Sequence, residues 1–266
     1  IQNTNIVELS ANKYFLNNKP LVIENCQGTV FYSREQIVNN LRGVTITNCK
    51  NVTGYNIAYK NNADNGLTVT GGLNNRFALS VFESNWGSDV ILDSVANTKL
   101  RDNDLTNSNR SPFLSSGVAV NGAIHIKGNT ADNDRQFLIE VLDTQIHSTD
   151  TVTAINQSGI YFDSTLGSLT PGANIINLDD IGFIGFSNHI NMGDCDATNL
   201  SITIGDNRSQ NNEVSYIIPP STGNFYSLPY SNHVTKVQFI DFSLDGSGTT
   251  IIVKDKQTDL VINSYP

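Results

Sequence analysis

Residues 43–49 read GVTITNC, and the same pattern returns at residues 66–72 as GLTVTGG. Each segment alternates apolar and polar side chains, as β-strands do, and ends in residues that favour turns. Residues 20–26 (PLVIENC) and 89–95 (DVILDSV) extend the pattern, and each segment begins 23 positions after the one before it. A fixed period of this length is typical of a solenoid, whose repeats bury their apolar faces only against one another.

The period aligns positions in columns across the repeats. Four such columns are Ile23, Ile46, Val69 and Leu92; Val22, Thr45, Thr68 and Ile91; Asn25, Asn48, Gly71 and Ser94; and, half a repeat further on, Gln36, Tyr59, Phe82 and Leu105. The runs are short and β-branched, and the consensus of leucine-rich repeats is missing, so we predict a parallel β-helix with rungs about 4.8 Å apart. A short helical turn is expected over residues 33–41.

Asparagine is expected at the corners of the rungs for two reasons. It tolerates the left-handed backbone conformation, and its amide group can bond to the asparagine of the next rung. Asn25 and Asn48 are predicted to form such a pair. Cys26 and Cys49 follow them one repeat apart, which allows either a column of thiols or a disulfide.

Composition narrows the partners of the 266-residue chain. Charged residues make up 15 % of it and the net charge is −9, with a pI near 4.7, so nucleic acid is disfavoured. A neutral polar surface suits an extracellular protein that meets sugars. No apolar run is long enough to span or insert into a membrane. The chain begins with Ile1 rather than Met, which we interpret as a processed or truncated product.

Three regions are expected along the chain. Residues 1–19 form an N-terminal entry or cap, and residues 20–215 form the β-helix, with side-loop insertions where the strict period slips after Pro112. Residues 216–266 form a C-terminal β cap or trimerisation region. Within it, residues 236–242, 249–253 and 260–262 are predicted to form a small antiparallel meander.

A parallel β-helix with asparagine-rich corners, few charges, side-loop insertions and a C-terminal β cap resembles bacteriophage tailspikes over roughly residues 20–266. It is similar, more loosely, to the pectate-lyase-like polysaccharide enzymes. The resemblance implies a right-handed, all-β helix that acts in host recognition as a homotrimer of the virion tail. It also implies binding, and often depolymerisation, of a bacterial surface polysaccharide (capsule or O-antigen). The polygalacturonase motifs are absent apart from Asp179–Asp180, so the resemblance supports a glycan partner more strongly than any one reaction.

Candidate catalytic residues come from the rung count. Glycosidases place two carboxyl groups about 5 Å apart, or roughly 6.5–9.5 Å apart for inversion. Counting by 23 brings Glu83 near Asp104, with Asp102 two columns further along. Lys60 lies one repeat before Glu83, so an exposed ion pair is the competing interpretation.

Glycan-binding candidates are Trp86, Arg101 and Arg110. Trp86 is the chain's single tryptophan and lies in a polar turn, where its ring can stack on a sugar. A second catalytic group, suited to a lyase, consists of Arg135, Glu140 and His147, with His147 as the base and Arg135 neutralising a uronate. Glu140 should face outward, because Ile139 and Val141 alternate with it.

The leading hypothesis is a tailspike-like polysaccharide depolymerase, with glycoside hydrolysis favoured over elimination. One alternative is a receptor-binding fibre tip or adhesin of the same fold without catalysis. The other is a secreted, monomeric polysaccharide lyase or epimerase. No metal site and no cofactor is expected, because no phosphate-binding, zinc or calcium motif is present in the sequence.

Overall fold

The structure, a computed structural model, describes residues 1–106, 121–128, 138–148, 158–163, 175–184, 186 and 188–191, and beyond residue 200 the backbone of the strands alone. Strands and the turns between them account for all of these residues, and no helix occurs among them. No described segment is therefore a helix that could cross a membrane. The predicted all-β class is confirmed.

The strands form three sheets. Sheet A contains β3 (Leu21–Glu24), β6 (Val44–Thr47), β9 (Leu67–Thr70), β12 (Val90–Asp93), β15 (Gly122–Lys127), β18 (Ser158–Phe162), β21 (Asn188–Asn191), β24 (Tyr216–Ile218) and β26 (Gln238–Phe239). Sheet B contains β1 (Ile6–Ser10), β4 (Thr29–Ser33), β7 (Val52–Tyr55), β10 (Leu73–Ala78), β13 (Ala96–Arg101), β16 (Leu138–Leu142), β19 (Ile175–Asp179), β22 (Ser201–Ile204), β25 (Phe225–Tyr230), β27 (Thr250–Asp255) and β28 (Val261–Tyr265). Sheet C contains β2 (Lys13–Phe15), β5 (Gln36–Val38), β8 (Ala58–Lys60), β11 (Val81–Glu83), β14 (Asp104–Thr106), β17 (Gln145–His147), β20 (Gly182–Ile184) and β23 (Arg208–Ser209).

The chain visits sheets B, C and A in turn, and one visit to all three is called a rung below. From β1 to β22, each strand pairs in parallel with the strand three places later, as β1 does with β4, β2 with β5 and β3 with β6. This arrangement is compatible with a parallel β-helix or solenoid. Strands β1 and β2, within the predicted entry segment, already pair in this way.

The C-terminal strands pair in two ways. Strand β26 pairs in parallel with β24, and β27 pairs in parallel with β25 but antiparallel with β28. The residues that join β26, β27 and β28 lie outside the described part of the chain, so the predicted meander and cap stay predictions.

The register of sheet A is the predicted one. Ile23 pairs with Ile46, Ile46 with Val69, and Val69 with Leu92, and all four side chains are buried. In sheet C the predicted place of Gln36 is wrong. Ile37, not Gln36, pairs with Tyr59, because this rung is one position shorter than the predicted period. The helical turn expected over residues 33–41 is also wrong, since β5 occupies its centre.

Later rungs are longer, but the pairing persists. Val90 pairs with Ile124, 34 positions on, and Asp104 pairs with Gln145, 41 positions on. Ile124 and Ile126 still face the interior and are fully buried. The additional residues therefore enter between strands and leave the alternation within each strand intact.

Aromatic side chains fill the interior between sheets B and C. The hydroxyl groups of Tyr32 and Tyr59 lie 2.9 Å apart, and both side chains are fully buried. The ring of Tyr59 stacks on Phe82 with centroids 4.4 Å apart. Gly54 leaves room for Tyr32, because a Cβ atom at this position would lie 2.7 Å from the tyrosine ring.

Corner residues adopt the left-handed backbone conformation that the sequence predicted. The φ angles of Asn25 and Asn48 are 55° and 52°, and Gly71 and Ser94 continue the column at 64° and 56°. The predicted amide bond between Asn25 and Asn48 is wrong. Both side chains are exposed, and no hydrogen bond joins their amide groups.

A buried, hydrogen-bonded asparagine ladder lies at the corner between sheets C and A. Nδ2 of Asn62 donates to Oδ1 of Asn85 at 2.9 Å, and Nδ2 of Asn40 donates to Oδ1 of Asn62 at 3.3 Å. These side chains point inward and are buried, so each satisfies backbone groups that water cannot reach.

Cys26 and Cys49 are buried free thiols, and the backbone N–H of Cys26 donates to Sγ of Cys49 at 3.3 Å. The column of thiols is thus the correct alternative. Cys195 lies outside the described residues.

Candidate functional site

The outer face of sheet C carries the polar residues that the sequence singled out. Paired positions on its strands form two outward columns. One column contains Lys60, Glu83, Thr106 and His147, and the other contains Val81, Asp104 and Gln145. Between them, the buried column of Tyr59, Phe82 and Leu105 anchors the strands in the core. The outward side chains therefore extend from a rigid surface.

Asp104 contacts His147 across two adjacent strands. Nε2 of His147 lies 2.7 Å from Oδ1 of Asp104, and the Thr106 hydroxyl donates to the same oxygen at 2.9 Å. Thr106 Oγ1 also lies 2.7 Å from Nε2. A carboxylate only accepts hydrogen bonds, so Nε2 carries the proton and Nδ1 of the neutral ring is free to accept one. Asp104 thus fixes the orientation of the His147 ring.

This contact joins residues that the sequence placed in two separate groups. Asp104 belonged to the predicted hydrolase pair, and His147 belonged to the predicted lyase group. They are 43 residues apart. The side chains are half-exposed, with 50 % of Asp104 and 30 % of His147 accessible, so a polymer lying across the sheet can reach both.

Glu83 forms an ion pair with Lys60, as the competing interpretation held. Nζ of Lys60 lies 2.6 Å from Oε2 of Glu83, and both side chains remain partly exposed. Glu83 and His147 face outward in the same column with β14 between their strands, so their α-carbons are about 9.6 Å apart. Glu83 and Asp104 are diagonal neighbours, with α-carbons about 8 Å apart.

Asp102 lies at the corner between sheets B and C, away from Glu83. It has a φ angle of 53°, and its carboxylate faces Arg101 at 3.5 Å. Nε of Arg101 also lies 3.1 Å from Oδ2 of Asp143, on the next rung. Asp102 and Arg101 therefore belong to an ion cluster at the corner rather than to the outer face of sheet C.

Trp86 lies in the turn between sheets C and A. Its side chain is 52 % exposed, and its backbone N–H donates to the carbonyl of Asn62 at 3.0 Å. The ring is therefore accessible while its backbone is fixed to the rung below. Arg110 and Arg135 lie outside the described residues.

Glu140 and His147, members of one predicted group, lie on different sheets. Glu140 faces outward from β16 as predicted, between the buried Ile139 and Val141, and forms an ion pair with Lys99. His147 lies in β17 of sheet C. The described residues do not bring the predicted lyase group together.

A second histidine–carboxylate pair lies on sheet A, and the sequence gave no signal for it. Nε2 of His125 lies 3.0 Å from Oδ2 of Asp163, and the ring of Tyr161 meets the imidazole edge-on at 5.1 Å. Burial lowers the pKa of His125, and the Asp163 carboxylate opposes that shift. Only 10 % of the His125 side chain is exposed, which makes it less accessible to a polymer than His147.

His189 is a core histidine. It is buried against the ring of Phe183, with centroids 5.1 Å apart, and burial lowers its pKa to about 4. Within the described part of the chain, no three His, Cys, Asp or Glu side chains are placed to hold a metal ion.

Comparison of the chain with protein-family models, with curated proteins and with solved structures found no match in any of the three.

Proposed function

We propose that this protein is a tailspike-like, right-handed parallel β-helix that binds a bacterial surface polysaccharide and hydrolyses it. In this proposal each rung has about 23 residues until insertions lengthen it, and the C-terminal residues form a β cap. Three chains form a homotrimeric spike at a phage tail. The observation that carries it is the outer face of sheet C, where Asp104 orients His147 while Glu83 faces outward in the same column.

The roles follow from charge and hydrogen bonding. The imidazolium form of His147, whose Nε2–H the Asp104 carboxylate holds, donates its Nδ1 proton to the leaving glycosidic oxygen as the C–O bond breaks and becomes the neutral ring. Glu83, ionised in its pair with Lys60, takes a proton from the water that attacks the anomeric carbon. Glu83 and His147 lie two strands apart, with α-carbons about 9.6 Å apart, and the attacking water lies between their side chains in this proposal.

Trp86 is the proposed stacking platform for a neighbouring sugar, because its exposed ring follows Glu83 by three residues in the same turn. Arg101 is a proposed polar contact at the opposite corner of the same strands.

The test is incubation with a panel of purified capsular and O-antigen polysaccharides, following product size and ultraviolet absorbance. Hydrolysis predicts shorter products without the absorbance of an unsaturated sugar. Glu83→Gln and His147→Ala should each lower the rate by ~100-fold or more, the usual worth of a general acid or base. Glu8→Gln is the matched control, since Glu8 is an exposed carboxylate on sheet B. Unsaturated products would show that the reaction is an elimination and not a hydrolysis.

A non-catalytic receptor-binding module is the second candidate. Glu83 and Asp104 each have a partner of opposite or potentially opposite charge, Lys60 and His147, as surface residues without a catalytic role often have. Binding without shortening of any glycan that the protein retains would support this alternative. Light scattering tests the trimer separately and should give about three times the 29.0 kDa of one chain.

A further inference from the structure

Sheet B has a polar groove on its outer face that contains none of the proposed acid–base residues, although Arg101 lies at its end. Its volume is about 280 Å³, close to the lower end of small-molecule sites. The groove is lined by Asn74, Arg76, Asn97, Lys99, Arg101 and Leu142. It ends at Arg101, three residues before Asp104, so the groove and the outer face of sheet C lie on the two sides of one corner.

The charges of this groove are unevenly compensated. Lys99 forms an ion pair with Glu140, and Arg101 forms ion pairs with Asp102 and Asp143. Arg76 is exposed and has no carboxylate partner within the described part of the chain. The groove therefore contains one guanidinium whose charge is not balanced.

Arg76 also lies beside a second cation. It pairs directly with Lys99 in the register of β10 and β13, so two positive side chains share one face with α-carbons about 4.8 Å apart. Like charges at paired positions destabilise a sheet. An anion bound between them would relieve this repulsion, and a guanidinium holds a carboxylate through two parallel hydrogen bonds.

Amide groups form one wall of the groove. Nδ2 of Asn97 donates to Oδ1 of Asn74 at 2.6 Å, and Nδ2 of Asn74 donates to Oδ1 of Asn51 at 3.2 Å. This exposed row follows the rungs and offers both donors and acceptors to hydroxyl groups. Leu142 supplies an apolar surface opposite them.

A buried asparagine, Asn75, lies beneath the groove. Asn75 borders the groove and is 1 % exposed, and its Oδ1 accepts from the backbone N–H of Val52 at 3.2 Å. Its Nδ2 has no hydrogen-bond partner among the described residues. Asn75 alternates with the outward Asn74 and Arg76 and faces the interior, so it supports the floor of the groove and does not contact a ligand there.

We infer that this groove binds the carboxylate of an acidic sugar, with Arg76 as the main contact, and that the recognised polysaccharide contains uronic acid. The choice of a saccharide rests on the proposed function, whereas the choice of a carboxylate rests on the charges of the groove. Asn74 and Asn97 contact the sugar hydroxyls, and Leu142 contacts the apolar face of the ring.

The experiment is calorimetric titration of the full chain with tetragalacturonate, oligomannuronate and oligoglucuronate, and with the methyl esters of the same oligosaccharides. At least one acid should bind, and its ester should bind at least ~10-fold more weakly. Arg76→Gln should weaken binding of the acidic oligosaccharide by ~10- to 100-fold, which corresponds to the loss of a charged hydrogen bond. Arg76→Lys should recover part of the loss. Lys19→Gln removes the same charge from an exposed position outside the groove and should bind like the wild type.

Thermal unfolding shows whether the variant is folded, and Arg76→Gln should be at least as stable as the wild type because it removes the repulsion with Lys99. Three results would overturn the inference: equal binding of acid and ester, unchanged binding by Arg76→Gln, or no carboxylate-dependent binding across the panel. If inorganic phosphate displaced the acidic oligosaccharide completely and the sugar added nothing to the affinity, the groove would be a simple anion site.

The two proposals can fail separately. Carboxylate binding that depends on Arg76, without cleavage of any polysaccharide, would support the groove and contradict the hydrolase. Cleavage that depends on His147, with no preference for acidic sugars, would do the reverse.

Discussion

The buried hydroxyl pair of Tyr32 and Tyr59 allows a sharp test of the interior. The two oxygens lie 2.9 Å apart, and neither hydroxyl has another hydrogen-bond partner among the described residues. Burial raises the pKa of both phenols, so both stay protonated in any ordinary buffer. Tyr32→Phe or Tyr59→Phe removes one hydroxyl and leaves the other buried without a partner.

The expected cost follows from that asymmetry. An unpaired buried hydroxyl costs about 1–3 kcal/mol, whereas replacing both partners by apolar groups of the same shape is close to neutral. The ring of Tyr59 keeps its stacking on Phe82 in either variant. Each single variant should therefore lose about 1–3 kcal/mol of unfolding free energy, and the double variant should lose less than either.

The assay is equilibrium unfolding in urea, followed by circular dichroism, with the four proteins of the double-mutant cycle. A constant dependence on urea concentration is required before the free energies are compared. Tyr55→Phe is the control, because Tyr55 is 43 % exposed on sheet B and should change stability by no more than ~0.5 kcal/mol. Additive losses in the double variant would refute the paired hydroxyls, and with them the contact between β4 and β8.

Three further predictions concern other buried groups. Asn62→Ala leaves the backbone N–H of Asn40 without its side-chain acceptor and should cost at least ~2 kcal/mol in urea unfolding; a loss equal to that of the exposed Asn18→Ala would contradict the ladder. Since burial lowers the pKa of His189 to about 4, unfolding takes up a proton below the ~6.5 of a free histidine, and stability should fall by about 3 kcal/mol as the pH drops through that window. His189→Leu should flatten this dependence, and an unchanged slope would show that another group causes it. In a Cys195→Ser protein, Cys26 and Cys49 should react with a thiol reagent only on unfolding, and a thiol that reacts in the native protein would show that this corner opens.

The 23-residue period correctly predicted pairs of residues that are one period apart. The column of Ile23 and the ion pair of Lys60 with Glu83 both follow from a spacing of 23. The pair of Arg76 and Lys99 has the same spacing, so the groove was within reach of the sequence. A pair of cations does not match the two-carboxyl pattern of glycosidases, so the sequence did not indicate a site there.

What departs from the period could not be predicted from it. A rung shorter by one residue moved Ile37 into the place expected for Gln36. The 43 residues between Asp104 and His147 do not correspond to a whole number of repeats, so only the folded register brings these residues together. The position of the asparagine ladder depends on which corner points inward, and a count of asparagines does not reveal that.

The interval between paired strands varies along the chain, and this variation has an evolutionary consequence. Val90 follows its partner Leu67 by 23 positions, whereas Ile124 follows its partner Val90 by 34. Doubling the length of a connection costs only ~0.6 kcal/mol in loop-closure entropy. Insertions between strands can therefore accumulate without disturbing the paired positions. A lineage could therefore exchange whole connections while inheriting the strands unchanged, so the stable core and the variable surface would evolve in different segments of one gene.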